Sequence, residues 1–250
     1  MKEKGVYHFV RNKLWWIKSR IKKIARRLYD KCWFIFWFTY SRLFNKPLIY
    51  VIGDSHIGSF KNSKLFILRS MGAATAYNLK NNKSTTRSNE KFFNVINKIN
   101  KKRDIVMLVF GEIDCRIHIY NQYKKNKGKF TITELIDGAI SNYGHILKQL
   151  KQMGISFCVY GVTAATTQEN FYNYPFYASP EMHKKIYREF NERLGKFCRD
   201  KGYKYIDVYS KVSDKNGFVK KEYVRDPVHL NGKVKEFVIP WLNKEFGINI

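Results

Sequence analysis

A hydroxyl, an imidazole and a carboxylate held in series can carry out acyl transfer, and this sequence offers residues for each part. Gly53-Asp54-Ser55-His56 follows a short apolar run, and Asp226-Pro227-Val228-His229 lies near the C-terminus. Serine is a poor nucleophile until a neighbouring base takes its proton. Among the six histidines (His8, His56, His118, His145, His183 and His229), only His229 has a carboxylate at a fixed short spacing in a loop-like segment. An aspartate three residues ahead can orient the ring and leave its second nitrogen for the serine. Ser55 is therefore the candidate nucleophile, with Asp226 and His229 as its base. Each half also has a plainer reading. Gly-Asp-Ser alone is a turn, and Asp226 and His229 alone are a helix cap and a surface imidazole.

A second charged group, Glu112, Asp114 and Arg116, follows the strongest apolar run of the chain. It can serve catalysis or substrate orientation, or it can be a mutual ion pair, since burying an unpaired charge is costly. His56 adjoins the nucleophile, but residues adjacent in sequence at a helix start point in different directions. Residues three or four apart share a helix face. His56 is accordingly read as a substrate-side or structural residue. Cys32, Cys115, Cys158 and Cys198 have no metal-ligand spacing and form no disulfide framework, which points to a reducing compartment. There is no Gly-rich phosphate loop, so no metal and no cofactor are expected.

These residues need elements to position them. Leu48–Ile52, Asp104–Phe110, Ile155–Tyr160 and Tyr203–Val208 read as strands, with a weaker one between Leu65 and Tyr77. Thr131 and Glu134 fit a capping box that opens a helix ending at Gly154. Ser179-Pro180 opens another, carrying Met182, Ile186, Phe190, Leu194 and Phe197 at helical spacing. A last helix is expected over Asn231–Phe246, interrupted or kinked near Pro240. Asn78–Asn89 and Asn170–Tyr177 read as loops that could border a site. Alternating strands and helices imply a flavodoxin-like three-layer α/β/α domain with a parallel sheet of about five strands. Its active site should lie at the carboxyl ends of the strands, near Gly53, Gly111, Gly161 and Tyr209.

Gly-Asp-Ser after the first strand, with Asp-x-x-His near the C-terminus, resembles the SGNH (GDSL) hydrolase superfamily over about Leu48–Phe246. The resemblance implies ester chemistry. It makes Ser55 the nucleophile, completes a triad with Asp226 and His229, and expects a glycine and an asparagine in the oxyanion hole. The glycine block matches Gly72 in Met71-Gly72-Ala73-Ala74-Thr75-Ala76-Tyr77-Asn78, and Glu189–Val208 looks like the family's last helix-strand unit. The asparagine block, Gly-x-Asn-Asp in the family, falls on Gly111-Glu112-Ile113-Asp114. Isoleucine cannot donate a side-chain hydrogen bond, and losing one such donor typically costs on the order of 100- to 1000-fold in rate. Either Arg116 or a backbone amide replaces it, or the site uses a variant geometry. Asp54, His56, Glu112, Asp114 and Arg116 complete the expected oxyanion and substrate side of the site.

Residues 1–46 form a separate arm, and 47–250 the hydrolase-like domain. The arm holds 13 Lys/Arg against Glu3 and Asp30, and the whole chain carries a formal +27. Leu14, Ile17, Ile21, Ile24 and Leu28 recur at spacings of three and four, and an uncharged aromatic run from Cys32 to Tyr40 follows. That run is about half of the ~20 residues a spanning helix needs. No small-residue cleavage site follows a suitable lead, so the arm does not read as a signal peptide. A basic amphipathic helix with aromatics suits an anionic membrane surface. Packing on the catalytic domain or in a dimer is the alternative. Nucleic acid is set aside because no recognised binding module accompanies the charge. The expected protein is cytoplasmic, peripheral on the inner face of the membrane, and acts on carbohydrate or lipid-linked esters. The competing readings are a lipase or lysophospholipase, and a glycan-binding protein on a decayed hydrolase fold favoured by Ile113. The aromatics Phe171, Tyr172, Tyr174, Phe176 and Tyr177 could stack on sugar rings.

Overall fold

The computed structural model describes residues 2–167 and 174–250, with the side chains of residues 2–17, 23 and 27 left out. The chain divides into two compact units, Met1–Lys46 and Pro47–Ile250.

The first unit is one helix, α1 (Lys2–Leu43). Along it Tyr29, Trp33 and Trp37 stand four residues apart, with ring centroids 5.9 and 5.7 Å from one another in turn. Ile21, Ile24, Leu28, Ile35 and Phe36 are exposed. Among the described residues no helix is long and apolar enough to cross a membrane.

The second unit is built on five parallel strands, β1 (Ile49–Gly53), β2 (Phe66–Ser70), β3 (Ile105–Val109), β4 (Ser156–Tyr160) and β5 (Lys204–Ile206), in the order β2-β1-β3-β4-β5. The helices are α2 (Ser88–Ile96), α3 (Ile119–Lys125), α4 (Ile132–Gln152), α5 (Pro180–Asp200), α6 (Val208–Val212) and α7 (Lys235–Phe246). Every residue of β1 and β3 is buried, as expected for central strands covered on both faces. Alternation along the strands divides them between two cores. Ile49, Val51, Ile105, Met107 and Val109 join Val238 and Leu242 of α7 in one cluster. On the other side of the sheet, the Phe110 ring meets Phe92 of α2 and Tyr143 of α4 at 6.3 and 6.0 Å. The result is a three-layer α/β/α domain.

Local signals account for the helix ends. Thr131 and Glu134 form a reciprocal capping box on α4, and Ser179 caps α5 with Pro180 in its first turn. The last helix is split rather than continuous: a 3-10 turn over Gly232–Val234 precedes α7, which runs on through Pro240. At the β3 edge, Gly53 is required by contact. A Cβ there would sit 2.0 Å from the Val109 carbonyl oxygen, so the end of β1 meets β3 closer than any side chain permits.

Candidate active site

In a sheet of this order the strand sequence reverses direction between β1 and β3, which opens a crevice beyond their carboxyl ends. Ser55 lies one residue beyond the end of β1, at the start of a 3-10 helix over Ser55–Phe60. Asp54 caps that helix by accepting from the His56 N–H at 2.9 Å. Ser55 is exposed, while Asp54 and His56 beside it are buried. The first N–H groups of a helix have no acceptor within it, so the amide of Ser55 lies where an oxyanion could be held.

The loop that supplies Asp226 and His229 is closed at its base by an antiparallel bridge between Val224 and Leu230. The Arg225 N–H donates to the His229 carbonyl at 2.9 Å, and the Asn231 N–H to that of Tyr223 at 2.7 Å. Asp226 Oδ1 accepts from the backbone N–H groups of Val228 and His229 at 3.1 and 3.0 Å, so its carboxylate is fixed before it meets the ring. His229 Nδ1 lies 2.8 Å from Asp226 Oδ1, and His229 Nε2 lies 2.7 Å from Ser55 Oγ. The structure thus brings all three candidate triad residues into one hydrogen-bonded series. Partial burial works against the Asp226 charge, but bonds from the His229 ring, the two amides and Arg225 hold its carboxyl well below the usual carboxylate range. Burial, and then the charge of neighbouring His56, hold His229 below the ordinary histidine value, while Asp226 pulls it up.

Beneath the triad lies a buried charged network. His56 Nδ1 is 3.0 Å from Asp54 Oδ1 and 3.8 Å from Glu112 Oε2. Its other nitrogen, Nε2, is 3.0 Å from the Val228 carbonyl oxygen. Arg116 Nε donates to Glu112 Oε1 at 2.7 Å, and the Tyr187 hydroxyl donates to the same oxygen at 2.8 Å. Burial alone would raise Glu112, yet His56, Arg116 and Tyr187 together hold it below its ordinary value.

Asp114 does not join this network. It turns to the glycine block and accepts from the N–H groups of Ala76 and Tyr77 at 2.6 and 3.1 Å. The expected Glu112–Asp114–Arg116 cluster therefore resolves into an ion pair and a separate loop anchor. Burial raises Asp114 to about 7 against these two bonds, with Asp54 adding to the rise. Gly72 sits on the anchored loop with φ +75, and its N–H donates to Ser70 Oγ at 3.2 Å. Ile113 opens a turn of π-helix over Asp114–His118, a local widening frequent at functional sites. Gly111, with φ +112, packs where a Cβ would lie 2.8 Å from Val162 Cγ2.

Tyr187 and His183, whose Nε2 lies 2.9 Å from the Arg116 carbonyl oxygen, were not singled out from the sequence. A signal was available. His183, Tyr187 and Asn191 stand four apart on α5, a buried polar stripe on one helix face. Of the loop aromatics, Phe171 and Tyr172 lie outside the described residues, Phe176 is exposed, and the Tyr177 ring packs on His183 at 4.6 Å. Among the described residues no group of three or more His, Cys, Asp or Glu is arranged to hold a metal ion.

No family model and no curated protein matches the sequence. Solved structures do match the fold. A GDSL-like lipase from Bacteroides thetaiotaomicron superposes with a TM-score of 0.53 at 16% identity, over 80% of this chain and 87% of that one. A Bacteroides fragilis protein proposed to be an acylhydrolase gives 0.55 at 20% identity, over 80% of this chain and 90% of that one. This chain has the SGNH/GDSL hydrolase fold.

Proposed function

We propose that this protein is a serine-dependent esterase or O-acyltransferase that works through an acyl-Ser55 intermediate on a carbohydrate ester. The observation that carries the proposal is the unbroken series from Asp226 through His229 to an exposed Ser55, with links of 2.8 and 2.7 Å. Ser55 Oγ attacks the ester carbonyl as its proton passes to His229 Nε2. Asp226 holds the ring in the tautomer that can accept it. The carbonyl electrons collect on the oxyanion, which the Ser55 amide at the start of the 3-10 helix stabilises; the Gly72 N–H donates to Ser70 Oγ and joins only by giving up that bond. On collapse, the alcohol leaves with the proton from His229. Water or a sugar hydroxyl then gives its proton to His229 and attacks the acyl-serine; collapse breaks the bond to Ser55 Oγ, which takes the proton back from His229, and the choice of acceptor separates hydrolysis from transfer.

Two features support the glycan and membrane parts of this reading. The exposed Phe176 offers a flat apolar face of the kind that stacks on sugar rings. The arm combines exposed Ile21, Ile24 and Leu28 with dense positive charge, which suits peripheral attachment to an anionic inner membrane face where lipid-linked glycans are built. The same arm favours a second reading, a lipase or lysophospholipase docked on its own substrate.

Purified wild type should release p-nitrophenol from p-nitrophenyl acetate, and Ser55→Ala should lose roughly 10⁴-fold or more of that rate. Equal background rates for the two proteins would remove the ordinary esterase and leave a selective transferase or a binding protein. Acetate released from an O-acetylated polysaccharide, with no fatty acid released from phospholipid vesicles, would select the glycan reading over the lipid one.

A further inference from the structure

We propose that His56 is a positioning residue for this site: its ring bridges Asp54 on the nucleophile turn to the Val228 carbonyl on the triad loop, and so holds His229 in reach of Ser55. Both ring nitrogens face acceptors. Nδ1 meets a carboxylate oxygen at 3.0 Å and Nε2 a backbone carbonyl oxygen at 3.0 Å. A neutral imidazole has only one N–H, whereas both contacts require a donor. The ring is therefore a buried imidazolium, joining segments 172 residues apart in the chain. Ser59 Oγ makes a second tie between the same two segments, donating to the Leu230 carbonyl at 2.9 Å.

The surroundings are consistent with that charge. Asp54 from the β1 end and Glu112 from the β3 end face the ring, Arg116 and Tyr187 stand behind Glu112, and the His229 ring lies beside it at a centroid distance of 4.7 Å, tilted by 38°. Burial alone would lower the pKa of His56, but Glu112 and Asp54 raise it to about 9. His229 faces Ser55, His56, Asp226 and Arg225, and an adjacent imidazolium disfavours a second charge on it. The bridge thus places the base and also keeps it neutral, the form that accepts the serine proton.

The proposal rests on the triad reading for its kinetic test but not for its spectroscopic one. In His56→Gln, kcat for p-nitrophenyl acetate should fall at least tenfold with KM little changed. The acid limb of the pH–rate profile should move up by roughly 0.5 to 2 on the pH scale, because the base loses a cationic neighbour. A variant that melts like wild type and keeps both kcat and the limb would overturn the role. Independently, nitrogen-15 spectra of the wild-type rings at pH 7.5 should show His56 protonated on both nitrogens. A neutral His56 ring would sink the proposal, even if His56→Gln failed to fold or the protein turned over no ester.

Discussion

At the scale of single residues, the site depends on which groups carry charge. Asp226 accepts two backbone amides as well as the His229 ring, so removing its charge leaves the loop's shape largely intact. Asp226→Asn should therefore fold normally yet lose on the order of 10⁴-fold in kcat, through the wrong tautomer of His229. Because His229 is held below its ordinary value, ester turnover should persist as pH falls toward 6.5 and be lost only below it, when the ring protonates. A steady-state pH series checks both. His56 makes a different prediction. Its folded value of about 9 lies above the roughly 6.5 of an unfolded chain, so the stabilisation is fully present below pH 6.5 and is lost as pH rises through 9. Thermal melting temperatures should fall over that window, and the fall should shrink in His56→Gln.

At the scale of elements, the site exists because three carboxyl-end segments converge. The turn after β1 supplies Asp54, Ser55 and His56. The segment after β3 supplies Glu112 to one side and Asp114 to the other. The bridged loop before α7 supplies Asp226 and His229. Their separation is set by the β1–β3 contact, where Gly53 pairs in register with Val109. Gly53→Ala would force its Cβ onto the Val109 carbonyl and should cost at least about 3 kcal/mol in urea unfolding. Activity should be lost with it, because the nucleophile turn begins at the next residue. A substitution that cost less than 1 kcal/mol would show that the strands can part without harm.

At the scale of the whole molecule, the arm and the domain divide the labour proposed for them. A surface helix bearing exposed Lys22 and Arg26 beside Ile21, Ile24 and Leu28 should bind vesicles containing anionic lipid. Binding should weaken as salt is raised from 0.05 to 0.5 M (about a threefold shorter screening length) and with Lys22→Gln plus Arg26→Gln. Co-sedimentation measures this directly. Equal binding to neutral and anionic vesicles would remove the electrostatic attachment, leaving the soluble-ester activity to be judged on its own.

Much of the domain is legible in the sequence. Strand and helix signals are local: β-favouring apolar runs, a capping box at Thr131, a Ser-Pro start at Ser179. Their alternation restricts the topology to a parallel sheet, and the sheet places chemistry at its carboxyl ends. Ser55, Asp226 and His229 could be grouped from the sequence because Gly-Asp-Ser after a strand and Asp-x-x-His near the C-terminus are short local motifs whose combination resembles the SGNH hydrolases; the fold then closes the 174 residues between Ser55 and His229. The short elements α2, α3, α6 and the π-turn were not, since tertiary packing rather than periodicity decides segments that brief. Nor was the partner of each buried charge. Glu112, Asp114 and Arg116 look alike along the chain, yet two close into an ion pair and the third anchors a loop 37 residues away. His56 shows the limit most clearly. Sequence determined that a histidine follows the nucleophile. Only the folded chain brings Asp54 and the Val228 carbonyl to its two nitrogens, and in the low dielectric of that site the pair of acceptors fixes its charge.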